Sequence, residues 1–448
     1  VFRKILIANR GEIAVRVIRA CREMGIETVA IYSKADKEAL HVQMADESVC
    51  VGGSSPKDSY LNVYNIISAT VLTGAQAIHP GFGFLSENSK FANMCKECNI
   101  AFIGPDSNII DKMGNKSNAR EIMIKAGVPV IPGSEGIIKT EEEANLIASK
   151  MGYPVVVKAS AGGGGRGIRI VNSKEEMKTA FNTAKTEARS AFGDDSMYVE
   201  KFIENPRHIE FQILGDNYGN IIHLGERDCS MQRRNQKILE ESPSPKVNDV
   251  LRKKMGDAAI KAAKAVGYKN AGTIEFLLDD NGHFYFMEMN TRIQVEHPIT
   301  EMVTGIDLVK EQIKISYGER LSIKQEDIIL TGHSMECRIN AEDVESGFRP
   351  CPGTINNLYV PGGLGVRLDS SAYLGYTIPP YYDSMIGKLI VHGRDRQESI
   401  QIMKRALGEF IIEGVNTNID FQFSILNDKN FLQGKYHTKY IENLLNKK

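Results

Sequence analysis

The 448-residue sequence has no excess of either charge: 55 lysines and arginines stand against 56 aspartates and glutamates, a formal net charge of −1. That balance excludes a broadly basic nucleic-acid binder and an acidic-tail protein. No apolar run approaches the ~18 residues a membrane span needs, and the first residues show no apolar signal region with a cleavage site. A cytoplasmic protein that contacts neither membrane nor nucleic acid is expected. Cysteines number seven, few and odd, which argues against a disulfide framework. Cys95 and Cys98 spell C-x-x-C, but no second pair completes a zinc site, so two thiols on a helix flank are expected. Also missing are a G-x-x-x-x-G-K-[ST] phosphate loop and the H-R-D and D-F-G segments of a protein kinase.

What is present is an ordinary globular mix, 42% apolar and 25% charged, long enough for about three domains at ~150 residues each. The first hundred residues alternate β-branched runs with amphipathic helices. Lys4–Ala8 and Thr28–Tyr32 read as buried strands, Ile13–Met24 as the helix between them, and Ala75–Ile78 and Ile100–Ile103 repeat the pattern. Such a βαβ series predicts a doubly wound parallel sheet. The turn Asn9-Arg-Gly-Glu12 lacks the three-glycine dinucleotide fingerprint, which disfavours NAD. A helical stretch near Lys112–Ala126 ends at Gly127-Val-Pro129, where the first domain boundary is expected. From Gly332 a Pro/Gly-punctuated β region leads to a helix near Arg396–Gly408.

Two strands, Tyr153–Lys158 and Ile168–Val171, flank Ala159-Ser-Ala-Gly-Gly-Gly-Gly-Arg-Gly167. A strand follows the loop where a dinucleotide-binding unit has a helix, so the glycines read as a flap whose bare amides close over phosphate oxygens. Lys158, at the strand end just before the loop, favours that reading over a plain hairpin tip.

A second hairpin carries acids. Asn281-Gly282 between alternating apolar runs is a strong hairpin signal. If these two are the loop residues, cross-strand partners sum to 563, which sets Glu275 opposite Glu288 and Thr273 opposite Asn290. Carboxylates so placed either share a proton or bind a cation, and hard oxygens favour Mg²⁺ or Mn²⁺ beside substrate phosphates. Glu288, Asn290, Arg292, Gln294 and Glu296 then follow at two-residue spacing, one side of an extended chain. Fully extended, Glu288 and Arg292 would lie ~13 Å apart, so the segment curls if both touch one substrate.

Together these segments resemble biotin carboxylase, an ATP-grasp enzyme. The resemblance is carried by Lys158 with the glycine loop, Glu226-Arg-Asp-Cys-Ser-Met-Gln-Arg-Arg234, Glu288-Met-Asn-Thr-Arg-Ile-Gln-Val-Glu-His-Pro298, Glu336-Cys-Arg-Ile-Asn-Ala-Glu-Asp343 and a final Pro-Pro-Tyr-Tyr-Asp-Ser-Met-Ile-Gly-Lys388. It implies an α/β and α+β multidomain fold. An N-terminal doubly wound parallel-sheet domain would span 1–114 and an ATP-grasp domain 115–330, with a mobile Gly-rich lid over 131–203. A C-terminal mixed β/α domain would span 331–448.

The resemblance also implies the chemistry: ATP, bicarbonate and Mg²⁺ or Mn²⁺, two ions in all, would carboxylate a biotin supplied on a separate carrier protein. Lys116, Lys158, His208 and Gln232 would contact the nucleotide, with Glu200, Lys201, Ile203 and Leu277 also at its site. Gly163, Gly164, Gly165 and Gly167 would cover the phosphates. Glu275 and Glu288, with Asn290 beside them, match the metal ligands. Lys237, Arg292, Gln294 and the amide of Val295 would hold bicarbonate. Glu296 would be the general base and Arg338 would face the ureido oxygen of biotin. Asn235, Phe82, Ala161 and Leu364 depart from common family residues (histidine, tyrosine, glycine and phenylalanine respectively), which bears on an anion contact, the biotin pocket, the loop and a dimer contact. No Ala-Met-Lys-Met attachment site occurs, so partners would be a biotin carboxyl carrier protein, carboxyltransferase subunits and a second copy meeting at Arg19, Glu23 and Arg367. Another ATP-grasp ligase, and a nucleotide-binding scaffold without turnover, are the competing readings.

Overall fold

The computed structural model describes residues 1–159, 167–192 and 195–446. The chain divides into two compact units: one of Val1–Val128, Arg207–Phe276 and Glu288–Lys448, the other of Pro129–Pro206 and Leu277–Met287.

In the first unit, Ile5, Leu6 and Ile7 of β1 (Lys4–Ile7) are wholly buried because helices cover both faces of the strand. β1 is the centre of five parallel strands with β2 (Glu27–Ser33), β3 (Glu47–Gly52), β4 (Ala77–His79) and β5 (Ala101–Phe102), ordered β3-β2-β1-β4-β5. The order grows outward from β1 on both sides, the doubly wound arrangement the alternation predicts. The single helix expected near residues 112–126 is two, Ser107–Gly114 and Lys116–Lys125. Asn115 breaks it by taking an extended conformation and capping the second helix, its side-chain oxygen accepting from the Asn118 amide at 3.0 Å. Cys95 is buried in the helix Ser89–Glu97 and Cys98 caps its end exposed.

The second unit holds the antiparallel sheet β7-β6-β8, from β6 (Val155–Ala159), β7 (Ile168–Val171) and β8 (Met197–Lys201). Val155, Val157 and Ala159 share a core with Met197, Val199 and the helices Glu141–Met151 and Lys174–Phe192. Alternation therefore sends Lys158 to the opposite face.

The largest sheet has eight strands. β9 (Arg207–Gly215), β10 (Ile221–Arg233), β11 (Gln236–Ser242), β12 (Asn270–Leu278), β13 (Phe284–Asn290) and β14 (His333–Asn340) join Met385–Gly393 and Val366–Ser370, in the order β13-β12-β9-β10-β11-β14 followed by those two. Arg234 and Asn235 both have positive φ in the two-residue turn from β10 to β11, a backbone that suits Asn at the second position.

Two irregularities set the site. Between β9 and β10, His223 pairs with Ile213 but Glu226 with Phe211, so Leu224 and Gly225 together face Gln212. This bulge advances the register by one and brings Arg227, in place of Glu226, opposite Glu210. The acidic hairpin closes on a longer loop than the two residues expected. The Asp279 amide donates to the His283 carbonyl at 2.9 Å, and the Asp279 carboxylate accepts from the Asn281 and His283 amides. The loop is therefore three residues, Asp280, Asn281 and Gly282. The physical reason is Asp279, whose side chain folds back on the turn amides and draws Asp280 into the loop. Further along the two strands the Asn290 side chain reaches Glu275, its Nδ2 donating to Oε1 at 2.8 Å.

Gly225 has φ +81°, and a Cβ there would meet Leu330 at 2.9 Å. Gly225→Ala should cost about 1–3 kcal/mol, read as a lower urea midpoint with unchanged m-value.

Candidate active site

One face of the large sheet collects charge. His208, Glu210 and Gln212 alternate along β9 and so project together. Arg227 from β10 is fully buried; its Nε donates to Glu210 at 2.5 Å, and Nη1 donates to Gln212 at 2.7 Å and to Thr300 at 2.9 Å. Lys237 from β11 sits among three carboxylates: its Nζ donates to Glu210 at 2.7 Å, Glu275 at 3.2 Å and Glu296 at 2.6 Å. Burial disfavours that ammonium, but Cys229 and the three acids outweigh it and hold Lys237 well above its usual range.

Glu296 has no exposed surface. One oxygen takes Lys237 and the other accepts from Arg338 Nη2 at 3.0 Å. Burial opposes its ionisation, yet Lys237, Arg338 and Arg227 prevail and keep the carboxyl well below the usual range. Glu275 behaves alike. Burial acts to raise it, while Lys237 and His208 hold it far down. Its Oε1 also accepts from Asn290 at 2.8 Å and Gln294 at 3.1 Å, and Oε2 lies 3.0 Å from His208 Nε2. Burial and the Glu296 charge instead push Glu210 up, so it is the member of the trio that takes a proton most readily.

The five-residue row is not extended throughout. β13 ends at Asn290, and Arg292 folds back: Nη2 donates to Asn290 Oδ1 at 3.2 Å, Nη1 to Gln294 Oε1 at 2.7 Å and Nε to Glu87 at 2.9 Å. The Val295 carbonyl accepts from the buried Lys388 at 2.8 Å. Glu296 then opens the helix His297–Thr304. Gln232 donates to His208 Nδ1 at 2.7 Å, which ties two of the expected nucleotide contacts to Glu275. Lys116 is mostly exposed at its helix start, 3.4 Å from the half-exposed Glu288 carboxylate.

Glu288 is therefore paired with Lys116, another of the residues expected at the nucleotide. As a Mg²⁺ or Mn²⁺ set, the hard oxygens of Glu288 and Glu275 Oε2 retain acceptor capacity and fit such an ion, whereas the Asn290 oxygen is engaged by Arg292. His208, Glu210 and Glu275 bring ligand atoms within 4.8 Å of one another, as do Glu210, Cys229 and Glu296. The Lys237 ammonium already supplies positive charge there.

In the second unit Lys158 Nζ lies 2.5 Å from Glu200, and Lys201 donates to the Gly152 and Tyr153 carbonyls at 2.8 and 3.2 Å. Ile203 follows β8, half-buried, and Leu277 lies in β12. Gly167, at φ +71°, donates its amide to Glu187 at 3.2 Å. Gly163, Gly164 and Gly165 lie outside the described residues.

Glu210, Arg227, Cys229, Glu240 and Glu87 are functional neighbours that the motif reading does not single out. The alternation of His208, Glu210 and Gln212 within an otherwise apolar run is the available signal for the first of them.

Lys237→Met leaves three buried carboxylates facing one another, and should cost about 3–5 kcal/mol at neutral pH. The loss should shrink as pH falls, because without the ammonium these carboxyls take up protons more readily. Denaturation of variant and wild type at about pH 5 and pH 8 checks both sign and size.

Comparison with known proteins gives the family. Family models match in chain order: "Biotin carboxylase, N-terminal domain" over residues 1–110, "Carbamoyl-phosphate synthase L chain, ATP binding domain" over 115–324 and "Biotin carboxylase C-terminal domain" over 336–443. Biotin carboxylase 1 of Bacillus subtilis is 60% identical over 441 residues, 98% of each chain. The biotin carboxylase of Nostoc sp. is 60% identical over 443 residues, 99% of each chain. The biotin carboxylase domain dimer of Hydrogenobacter thermophilus 2-oxoglutarate carboxylase, solved with MgADP, ADP and bicarbonate, superimposes with a TM-score of 0.90 at 54% identity, covering 99% of this chain and 97% of that one. With a buried acid held between lysine and arginine and relatives of this identity along its whole length, the chain belongs to the biotin carboxylase family.

Proposed function

We propose that this protein carboxylates biotin on a separate biotin carboxyl carrier protein, using ATP and bicarbonate, as the first half-reaction of acetyl-CoA carboxylase. The observation that carries the reading is Glu296, buried between Lys237 at 2.6 Å and Arg338 at 3.0 Å. A carboxylate held ionised by two fixed cations is a base whose strength rises when those cations turn toward incoming anions.

Bicarbonate is a weak nucleophile. Lys237, Arg292 and Gln294 supply the donors that orient it, and Glu296 takes its proton as its oxygen attacks the γ-phosphorus. The new O–P bond forms as the bond to the ADP oxygen breaks, giving carboxyphosphate and ADP. Glu275 and Glu288 would hold the divalent ion, which neutralises charge on the phosphoryl group. Lys116, Lys158, His208 and Gln232 are the residues proposed to touch the nucleotide. Carboxyphosphate then breaks to CO₂ and phosphate. The phosphate takes the ureido N–H proton, the nitrogen bonds to CO₂, and Arg338 stabilises the charge on the ureido oxygen.

The final acceptor is chosen outside this chain, by the carboxyltransferase, which accounts for near relatives named for pyruvate and 2-oxoglutarate. A homodimer in the cytoplasm completes the proposal. Leu364 is 97% exposed, as an interface residue of an isolated chain would be, whereas Arg367 is spent on Glu301 and Asp369 within the chain.

ADP release should require bicarbonate and be accelerated by biotin; release that ignores either one, or that needs ammonia or an amino acid, would overturn the reading. Glu296→Gln should keep ATP binding by titration calorimetry and lose most carboxylation. Glu288→Ala should weaken the Mg²⁺ dependence of turnover, and an unaltered dependence would remove it as a ligand.

A further inference from the structure

Arg338 has a second anchor. Its Nε donates to Glu240 Oε1 at 2.7 Å, and Nη2 lies 2.6 Å from the same oxygen while also reaching Glu296 at 3.0 Å. Nε is bonded to Glu240 alone, so Nη2 is the arm that can leave Glu296 for a substrate oxygen. Across the β11–β14 ladder Glu240 is directly paired with Glu336. Both are wholly buried, and Glu240 Oε2 and both Glu336 oxygens have no hydrogen-bond partner among the described residues.

Two carboxylates at cross-strand distance without water do not both ionise. The charged groups facing the pair are Lys237 on β11, Arg338 on β14, Lys388 on Met385–Gly393 and Glu296 ahead of the helix His297–Thr304. Glu12, 3.1 Å from Lys388, approaches from the helix Gly11–Glu23. The thiols of Cys337 and Cys229, both pushed up by burial, complete the surroundings. Lys388 is divided between Glu12 and the Val295 carbonyl, and no donor reaches Glu336. Glu240 keeps its charge through Arg338, and the proton of the pair resides on Glu336. Burial drives both carboxyls upward, and the bonded Arg338 opposes it at Glu240.

We propose that Glu240 is the positioning residue for Arg338, holding Nε so that Nη2 is free to turn from Glu296 to the ureido oxygen, and that Glu336 opposite it stays protonated so that only one carboxylate of the pair competes for the guanidinium. This rests on the biotin carboxylase reading and adds to it a part of the site that touches no substrate.

The two halves have separate tests on the full-length protein. Glu240→Gln keeps an acceptor but loses the charge, and should lower kcat/KM for free biotin about tenfold, with the KM for ATP and for bicarbonate at wild-type values. Glu240→Asp, which keeps the charge on a shorter arm, should recover part of the loss. Unchanged kcat/KM for biotin, or an equal rise in all three KM values, overturns the positioning role.

For Glu336 the readout is stability against pH. A carboxyl whose folded pKa exceeds its unfolded one costs stability that is absent below the unfolded pKa and grows as pH rises toward the folded one. Glu336→Gln removes that cost, so its Tm relative to wild type should climb from about pH 5 to pH 8, with carboxylation retained. A Tm deficit that deepens with pH, or a difference independent of pH, shows Glu336 ionised and overturns this half. A wild-type protein whose ADP release ignores biotin or bicarbonate instead defeats the underlying function, whatever the variants do.

Discussion

A single ammonium group, that of Lys237, is the tie on which the site depends. It bonds Glu210, Glu275 and Glu296 at once, and each of these acids has a further partner: Arg227, His208 and Arg338 respectively. Glu240 completes the set beyond Arg338. Four carboxylates are thus interleaved with three permanent cations and a histidine. Buried ions are stable only when each finds charge and hydrogen bonds of opposite sense. The interleaving satisfies that requirement while leaving every cation with an alternative partner, which is what a reaction that brings in new anions needs.

The sheet delivers these groups with little freedom. Strand alternation lines His208 up with Glu210, the Gly225 bulge swaps Arg227 into register with Glu210, and ladder pairing sets Glu240 against Glu336. Arg292, Gln294 and Glu296 instead come from an irregular turn, pinned by Glu87 at one side and by Lys388 on the Val295 carbonyl at the other. A rigid ladder holds the charges, and a short braced turn presents those proposed to meet the substrate.

Much of this is legible in the sequence, and the acidic hairpin shows where a local rule stops. Alternation of apolar runs and helices points to the parallel N-terminal sheet, and the spaced row from Glu288 to Glu296 marks the chemistry. The hairpin arithmetic sets Glu275 against Glu288 only if Asn-Gly is the whole turn. Asp279 captures two turn amides and lengthens the loop to three residues. A turn rule that misses one side-chain bond misjudges the loop length, and the closing register depends on that length.

The order of residues along the chain determined which side chains are available, which strands alternate and where helices start and stop, since propensity, periodicity and capping act over a few neighbours. Only the tertiary structure decided that Lys237 answers three acids, that Arg338 is shared between Glu240 and Glu296, and that Glu336 is left without a donor. Those outcomes depend on register and burial across strands tens of residues apart, where the cost of an unpaired charge is set by everything packed around it.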